Sequence, residues 1–336
     1  MKPVKVGIAS FAHVHAASYA RVLSSMDGVD VTAFCDPMDR RAIAMEEQFH
    51  ISRVANFDVL AASDDVDLVL ITCETTRHAD IAIAAMEHGK DVIIEKPIAA
   101  TMEDARRIVA SERKHGRRVF QCYPCRYHPS SQHVKKMIET GEMGRISGIS
   151  ATNHGCIPSH GDPETRWFSQ KALAGGGAIM DHATHAADLI FWFTGWVPER
   201  VFGVARTVFH HDIDVDDAGM ILVQFTDDVA ASIDPSWSRP VAYPTWGNLT
   251  MTIHGERATV AIDMFNQNLD LFSSKQPKNT TWLPFGDDVD GAMLSSFIDA
   301  WRRDDSPPVS STDGIKALQV ALRAYDSATA GTFVAW

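Results

Sequence analysis

A chain of 336 residues is longer than a single hydrophobic core usually serves, so two domains are expected. Its 45% hydrophobic and 22% charged residues exclude a chain dominated by disorder, and a net charge of −12 without a dense Lys/Arg run excludes nucleic acid as the expected partner. No stretch is apolar enough for a leader or a membrane span, and five cysteines in a chain this large imply reduced thiols, so a cytoplasmic protein away from membranes is expected.

In chain order, residues 4–9 read as a buried strand, 16–23 as a helix, and 29–35 as a second strand that stops at Asp36-Pro37. The alternation continues with helix 40–49, a short strand near Val54, helix 57–62, strand 67–72, helix 79–88, strand 91–95, helix 102–115 and strand 118–122. Apolar runs of strand length between helical patterns predict a parallel sheet covered on both faces, an α/β Rossmann domain over residues 1–123. From residue 124 the pattern changes. Helix 129–140 precedes strands 146–153, 200–209, 218–226, 229–237 and 249–254, with one long helical segment at 173–193 and closing helices at 292–302 and 314–330. Strands in succession predict an α+β domain over 124–336 with a large, mostly antiparallel open sheet.

The turn after the first strand, Ser10-Phe11-Ala12-His13-Val14-His15, stands where a strand runs into a helix N-terminus, the place that cradles a pyrophosphate. The usual Gly-x-Gly-x-x-Gly is missing all three glycines here. Asp36 ends the second strand, where an acid bonds the adenosine ribose hydroxyls and repels a 2′-phosphate; this favours NAD over NADP, tempered by Arg40 and Arg41. Glu95-Lys96-Pro97 places a lysine at the carboxyl edge of the sheet. Further on, Gly175-Gly176-Gly177 leads into a helix carrying Asp181, His185 and Asp188 at i, i+4 and i+7, on one expected face. Alcohol oxidation needs a proton acceptor as hydride leaves. His185 suits that task, Asp181 one turn away could orient it, and a cationic Lys96 would favour the alkoxide.

These motifs resemble the Gfo/Idh/MocA family, the relatives of glucose-fructose oxidoreductase and inositol dehydrogenase. Further matches are His78-Ala79-Asp80, Arg126-Tyr127-His128-Pro129, Gly141-Glu142-Met143-Gly144, Val215-Asp216-Asp217 and Tyr325-Asp326-Ser327. The resemblance implies an NAD(P)-dependent sugar or polyol oxidoreductase and a homodimer or homotetramer. It implies Lys96, Asp181 and His185 as catalytic residues, with Arg126, Trp167 and His182 also facing substrate. Ser10, Phe11, Ala12, His13, Val14, Asp36, Cys73, His78, Glu95 and Lys96 are the implied cofactor contacts. The missing glycines, Cys73-Glu74 in place of Thr-Pro, and His182 beside Asp181 depart from the family pattern.

No metal site is expected. Cys122 and Cys125 lack a second pair at zinc spacing, and neither His154/His160/Asp162 nor His210/His211/Asp212/Asp214 has convincing ligand spacing. Two other functions fit the same residues: an NAD-dependent glycosidase that oxidises its sugar transiently, and a sugar or NAD sensor without turnover. Retention of Lys96, Asp181 and His185 argues against the sensor.

Overall fold

The computed structural model describes residues 3–159, 163–243, 245–271, 281–284 and 286–336. The first half runs β1 (Val4–Ala9), α1 (Ala16–Ser25), β2 (Val29–Cys35), α2 (Asp39–Phe49), β3 (Ser52–Arg53), α3 (Phe57–Ala62), β4 (Leu68–Ile71), α4 (His78–Glu87), β5 (Asp91–Ile94), α5 (Met102–His115) and β6 (Val119–Gln121). Every strand pairing is parallel, in the order β3-β2-β1-β4-β5-β6. The central strands are unbroken apolar runs because helices cover both faces; Leu68, Leu70, Val92 and Ile94 are fully buried. Local chemistry sets the helix limits. In α5 the Thr101 hydroxyl accepts from Asp104 N–H at one end, and Gly116 takes φ +59° at the other. Strand order reverses between β1 and β4, so the carboxyl ends of β1, β4 and β5 open on the crevice where such sheets bind ligands.

The second half contains α6 (Pro129–Glu139), β7 (Ile146–Gly155), α7 (Lys171–Ala174), a π-helical turn (Ile179–Ala183) and α8 (Thr184–Thr194). There follow β8 (Pro198–Arg206), β9 (Ala218–Phe225), β10 (Ala230–Ser236), β11 (Gly247–Gly255), β12 (Thr259–Asp263), the hairpin β13 (Asn268–Leu271) and β14 (Thr281–Pro284), α9 (Val289–Arg302), α10 (Ser311–Ala330) and β15 (Val334–Ala335). Its large sheet, β12-β11-β7-β10-β9-β8-β15, is antiparallel except for the β7–β10 pair. Helices α9 and α10 return to the first half: Phe297 meets Phe120, and Gln121 N–H donates to Val309 O at 3.0 Å.

The expected single helix over 173–193 is in fact two, joined by Gly175-Gly176-Gly177 and the π turn. Gly175 takes φ +83° and ends α7. A Cβ on Gly177 would lie 1.8 Å from Asp216 O, so only glycine lets these segments touch. The Asp216 carboxylate accepts from Gly177 N–H at 3.0 Å and Ile179 N–H at 2.8 Å, which starts the second helix, and Tyr325 Oη donates to it at 2.6 Å.

Candidate active site

Lys96 emerges from the end of β5 and meets the π turn. Its Nζ donates to the Asp181 carboxylate and, at 3.4 Å, to the Asp181 carbonyl. Trp237, from the end of β10, donates its Nε1 proton to Asp181 Oδ2 at 3.1 Å, and His182 Nε2 lies 3.3 Å from the same oxygen. All four residues are buried. Burial opposes charge on Asp181, but Lys96 and His182 outweigh it and hold the carboxyl well below the usual range. His185, at the start of α8, is pushed well below the ordinary histidine value by burial and then by the Lys96 charge, so its imidazole is neutral. Cys125 Sγ lies 3.9 Å from His185 Nδ1, and burial drives that thiol up to about 12, leaving it protonated and inert. Lys96, Asp181, His182 and His185 share with His13 and His15 one cavity of about 390 Å³.

Several residues take places other than those expected. Among the described residues Asp181 partners Lys96, Trp237 and His182 rather than His185. Lys96, from the end of β5, takes Asp181 Oδ1, and Trp237, from the end of β10, takes Oδ2 together with His182, so both carboxylate oxygens are engaged away from His185. Asp188 leaves the shared face for a bidentate pair with Arg126, at 2.6 and 2.8 Å. Arg126 does not line the cavity. It is 5% exposed, also pairs with Asp313 at 3.0 Å, and ties α8 to α10. Trp167 lies over the phosphate turn, donating Nε1–H to Ala12 O at 3.0 Å, beside a small recess at Lys96. The Phe11 ring enters the core against Phe34 and Phe49. Both His78 ring nitrogens face carbonyls, of Pro97 at 3.0 Å and Cys73 at 3.2 Å, which makes His78 a strut behind Lys96.

The turn keeps the outline of a dinucleotide site. Ser10 adopts φ +75°, the conformation glycine ordinarily supplies, and Asp36 stands at the end of β2. Asp36 is engaged, however: it accepts from Phe11 N–H at 2.7 Å, Ser10 Oγ at 3.0 Å and Arg41 at 2.8 and 2.9 Å. Arg40 reaches Glu164 at 3.5 Å, so residues 164–167 lie across the turn.

Glu95 is fully buried. Its Oε1 is 2.7 Å from His15 Nδ1 and its Oε2 accepts from Tyr19 Oη at 3.2 Å. Sequence reasoning missed Tyr19 and His15, and left Trp237 open between a sugar-stacking and a core role. The His-x-His spacing signalled His15, whereas nothing in the sequence distinguished Trp237 from a core tryptophan. Of the residues weighed for metal binding, His154 pairs with Asp234 at 3.1 Å, and His160 and Asp162 lie outside the described residues. Cys122 is buried and free.

Residues 2–123 match the family described as an oxidoreductase family with an NAD-binding Rossmann fold, and residues 131–261 match the GFO/IDH/MocA C-terminal domain. The chain belongs to the Gfo/Idh/MocA oxidoreductase family. Inositol 2-dehydrogenase of Salmonella typhimurium (strain LT2) is 28% identical over 194 residues, 56% of this chain and 54% of that protein, so the match spans about half of that relative. The 2,7-anhydro-N-acetylneuraminate hydratase of Mediterraneibacter gnavus is 24% identical over 293 residues, 83% of this chain and 75% of that one. The fold matches the crystal structure of GenD2 from gentamicin A biosynthesis in complex with NAD, with a TM-score of 0.90 and 22% identity over 100% of this chain and 97% of the other. The Rossmann half is thus of the family's NAD-binding type. Its residues fit a dinucleotide through the Ser10 turn and the placement of Asp36, on condition that Arg41 gives up its hold on Asp36 and Trp167 its hold on Ala12.

Proposed function

We propose that this chain is an NAD-dependent oxidoreductase moving a hydride between the nicotinamide and a secondary hydroxyl carbon of a sugar or polyol. The observation that carries the reading is the meeting of Lys96 with Asp181, and of both with His185, around one cavity at the carboxyl edge of the Rossmann sheet. The dinucleotide would lie on the turn 10–14 with its ribose toward Asp36. That carboxylate favours NAD over NADP. Bound there, the nicotinamide supplies the hydride acceptor or donor. The protein handles the proton and the charge. Neutral His185 takes the substrate hydroxyl proton on an imidazole nitrogen, the Lys96 ammonium hydrogen-bonds the oxygen as it gains negative charge, and Asp181 fixes Lys96 with His182 and Trp237 behind it.

The inositol dehydrogenase relative supports polyol oxidation, and exposed Met220 and Leu222 on β9 support an open sheet that pairs with a second copy. Among the described residues no helix is long and apolar enough to cross a membrane. The hydratase relative favours a second reading, in which the same residues work without net redox change, as in an NAD-dependent glycosidase. Replacing His185 with Ala separates chemistry from binding. Turnover is expected to fall about 100-fold or more while cofactor affinity changes little; equal losses in both would count against a proton-transfer role.

A further inference from the structure

The turn that lacks its three glycines carries two histidines, His15 at the third glycine position and His13 two residues before it, and both turn toward the same carboxylate. His13 Nδ1 lies 3.3 Å and His15 Nδ1 2.7 Å from Glu95 Oε1, and the three candidate donor atoms lie within 4.8 Å of one another. Two donors bound to one zinc ion at about 2.0–2.2 Å stand roughly 3.3 Å apart in tetrahedral geometry, so the observed spacing needs only small adjustment to hold an ion. The carboxylate is braced from behind by Tyr19 Oη at 3.2 Å, the kind of outer contact that orients a metal ligand. On its other side the His13 ring packs against Phe168 and Trp167, which shields it from bulk water. Among the described residues His13 Nε2 is buried without a hydrogen-bond partner, and Nδ1, besides facing Glu95, accepts the His15 N–H at 3.2 Å, a contact the ion would replace.

We propose that His13, His15 and Glu95 form a site for a divalent transition metal, with zinc the best match to two imidazoles and one carboxylate. This departs from the sequence-based expectation of no metal, and it stands independently of the hydride-transfer reading. His13 and His15 line the same cavity as Lys96 and His185, whereas Glu95 lies behind the wall. Three protein ligands leave a coordination position for water or a substrate oxygen, the arrangement of catalytic rather than structural zinc sites. The one negative charge of Glu95 is then balanced by the cation, as that of Asp181 is by Lys96.

The test uses full-length protein stripped with chelator and titrated with Zn²⁺ and with Co²⁺, reading bound metal by elemental analysis and cobalt coordination by visible absorption. One equivalent is expected. It should be lost, or weakened about 100-fold, in His15→Gln and in Glu95→Gln, and retained in His211→Ala, which alters an exposed turn; circular dichroism establishes that each variant is folded. If a variant fails to fold, the wild-type titration decides by itself, since no stoichiometric metal would overturn the proposal. Binding that survives in folded His15→Gln and Glu95→Gln would equally overturn it.

Discussion

Replacing Lys96 with Met is expected to lower kcat/KM about 1,000-fold. Among the described residues the ammonium is the one cation hydrogen-bonded to Asp181, and it borders the cavity where a substrate hydroxyl would lose its proton. Its removal takes away the donor for the developing alkoxide and strands a buried carboxylate, which costs about 3–5 kcal/mol of stability. The stability loss could by itself depress apparent activity. The double variant Lys96→Met/Asp181→Asn separates the two effects, because a neutral amide removes the stranded charge. Its melting temperature should recover most of the loss while kcat/KM stays low. Recovery of activity along with stability would show that Lys96 only holds the fold together.

Acid should weaken the fold before it protonates His185. Burial, and then the Lys96 charge, depresses His185, and burial depresses His182 against the opposing pull of Asp181. Both folded-state values therefore lie below the ordinary 6.5. As pH falls through that value the unfolded chain takes up protons that the folded chain refuses. Stability from these groups is fully present above about pH 6.5 and is lost on acidification, at up to about 1.4 kcal/mol per pH unit for each group. Urea unfolding between about pH 7.5 and about pH 5.5 should show falling midpoints at constant slope. Over the same range the acid limb of kcat/KM should lie below pH 6.5, because the base form of His185 persists. An acid limb at the ordinary histidine value, with stability flat across the range, would contradict this.

The Rossmann half was legible because parallel, doubly covered strands are continuous apolar runs and their helices carry local stop signals. The span 102–115 came out with its observed limits, since Thr101, Glu103 and Gly116 mark its ends by short-range chemistry. In the second half β12 and β15 escaped, being short edge strands whose exposed, alternating residues carry little apolar signal. The candidate site was legible as a set of residues that line one cavity, and only partly as geometry. Lys96, Asp181 and His185 do meet at one cavity. The partner of Asp181 was misassigned because Lys96 and Trp237 reach it across 85 and 56 residues, and Arg126 was placed in the pocket because its pairing with Asp188 and Asp313 spans 62 and 187 residues. Replacement of the phosphate-loop glycines was plain in the sequence. That Ser10 would still take the left-handed conformation, and that both histidines would converge on Glu95, depended on the relative placement of β1 and β5.

The most direct test of the central claim is a titration of the purified protein with NAD and with NADP, followed by absorbance in the reduced-nicotinamide band as a panel of polyols and sugars is added. NAD should bind in preference to NADP, and at least one polyol or sugar should produce net NADH. Failure of both cofactors to bind would mean that Arg41 and Trp167 keep the turn closed, and the hydride-transfer account would fall.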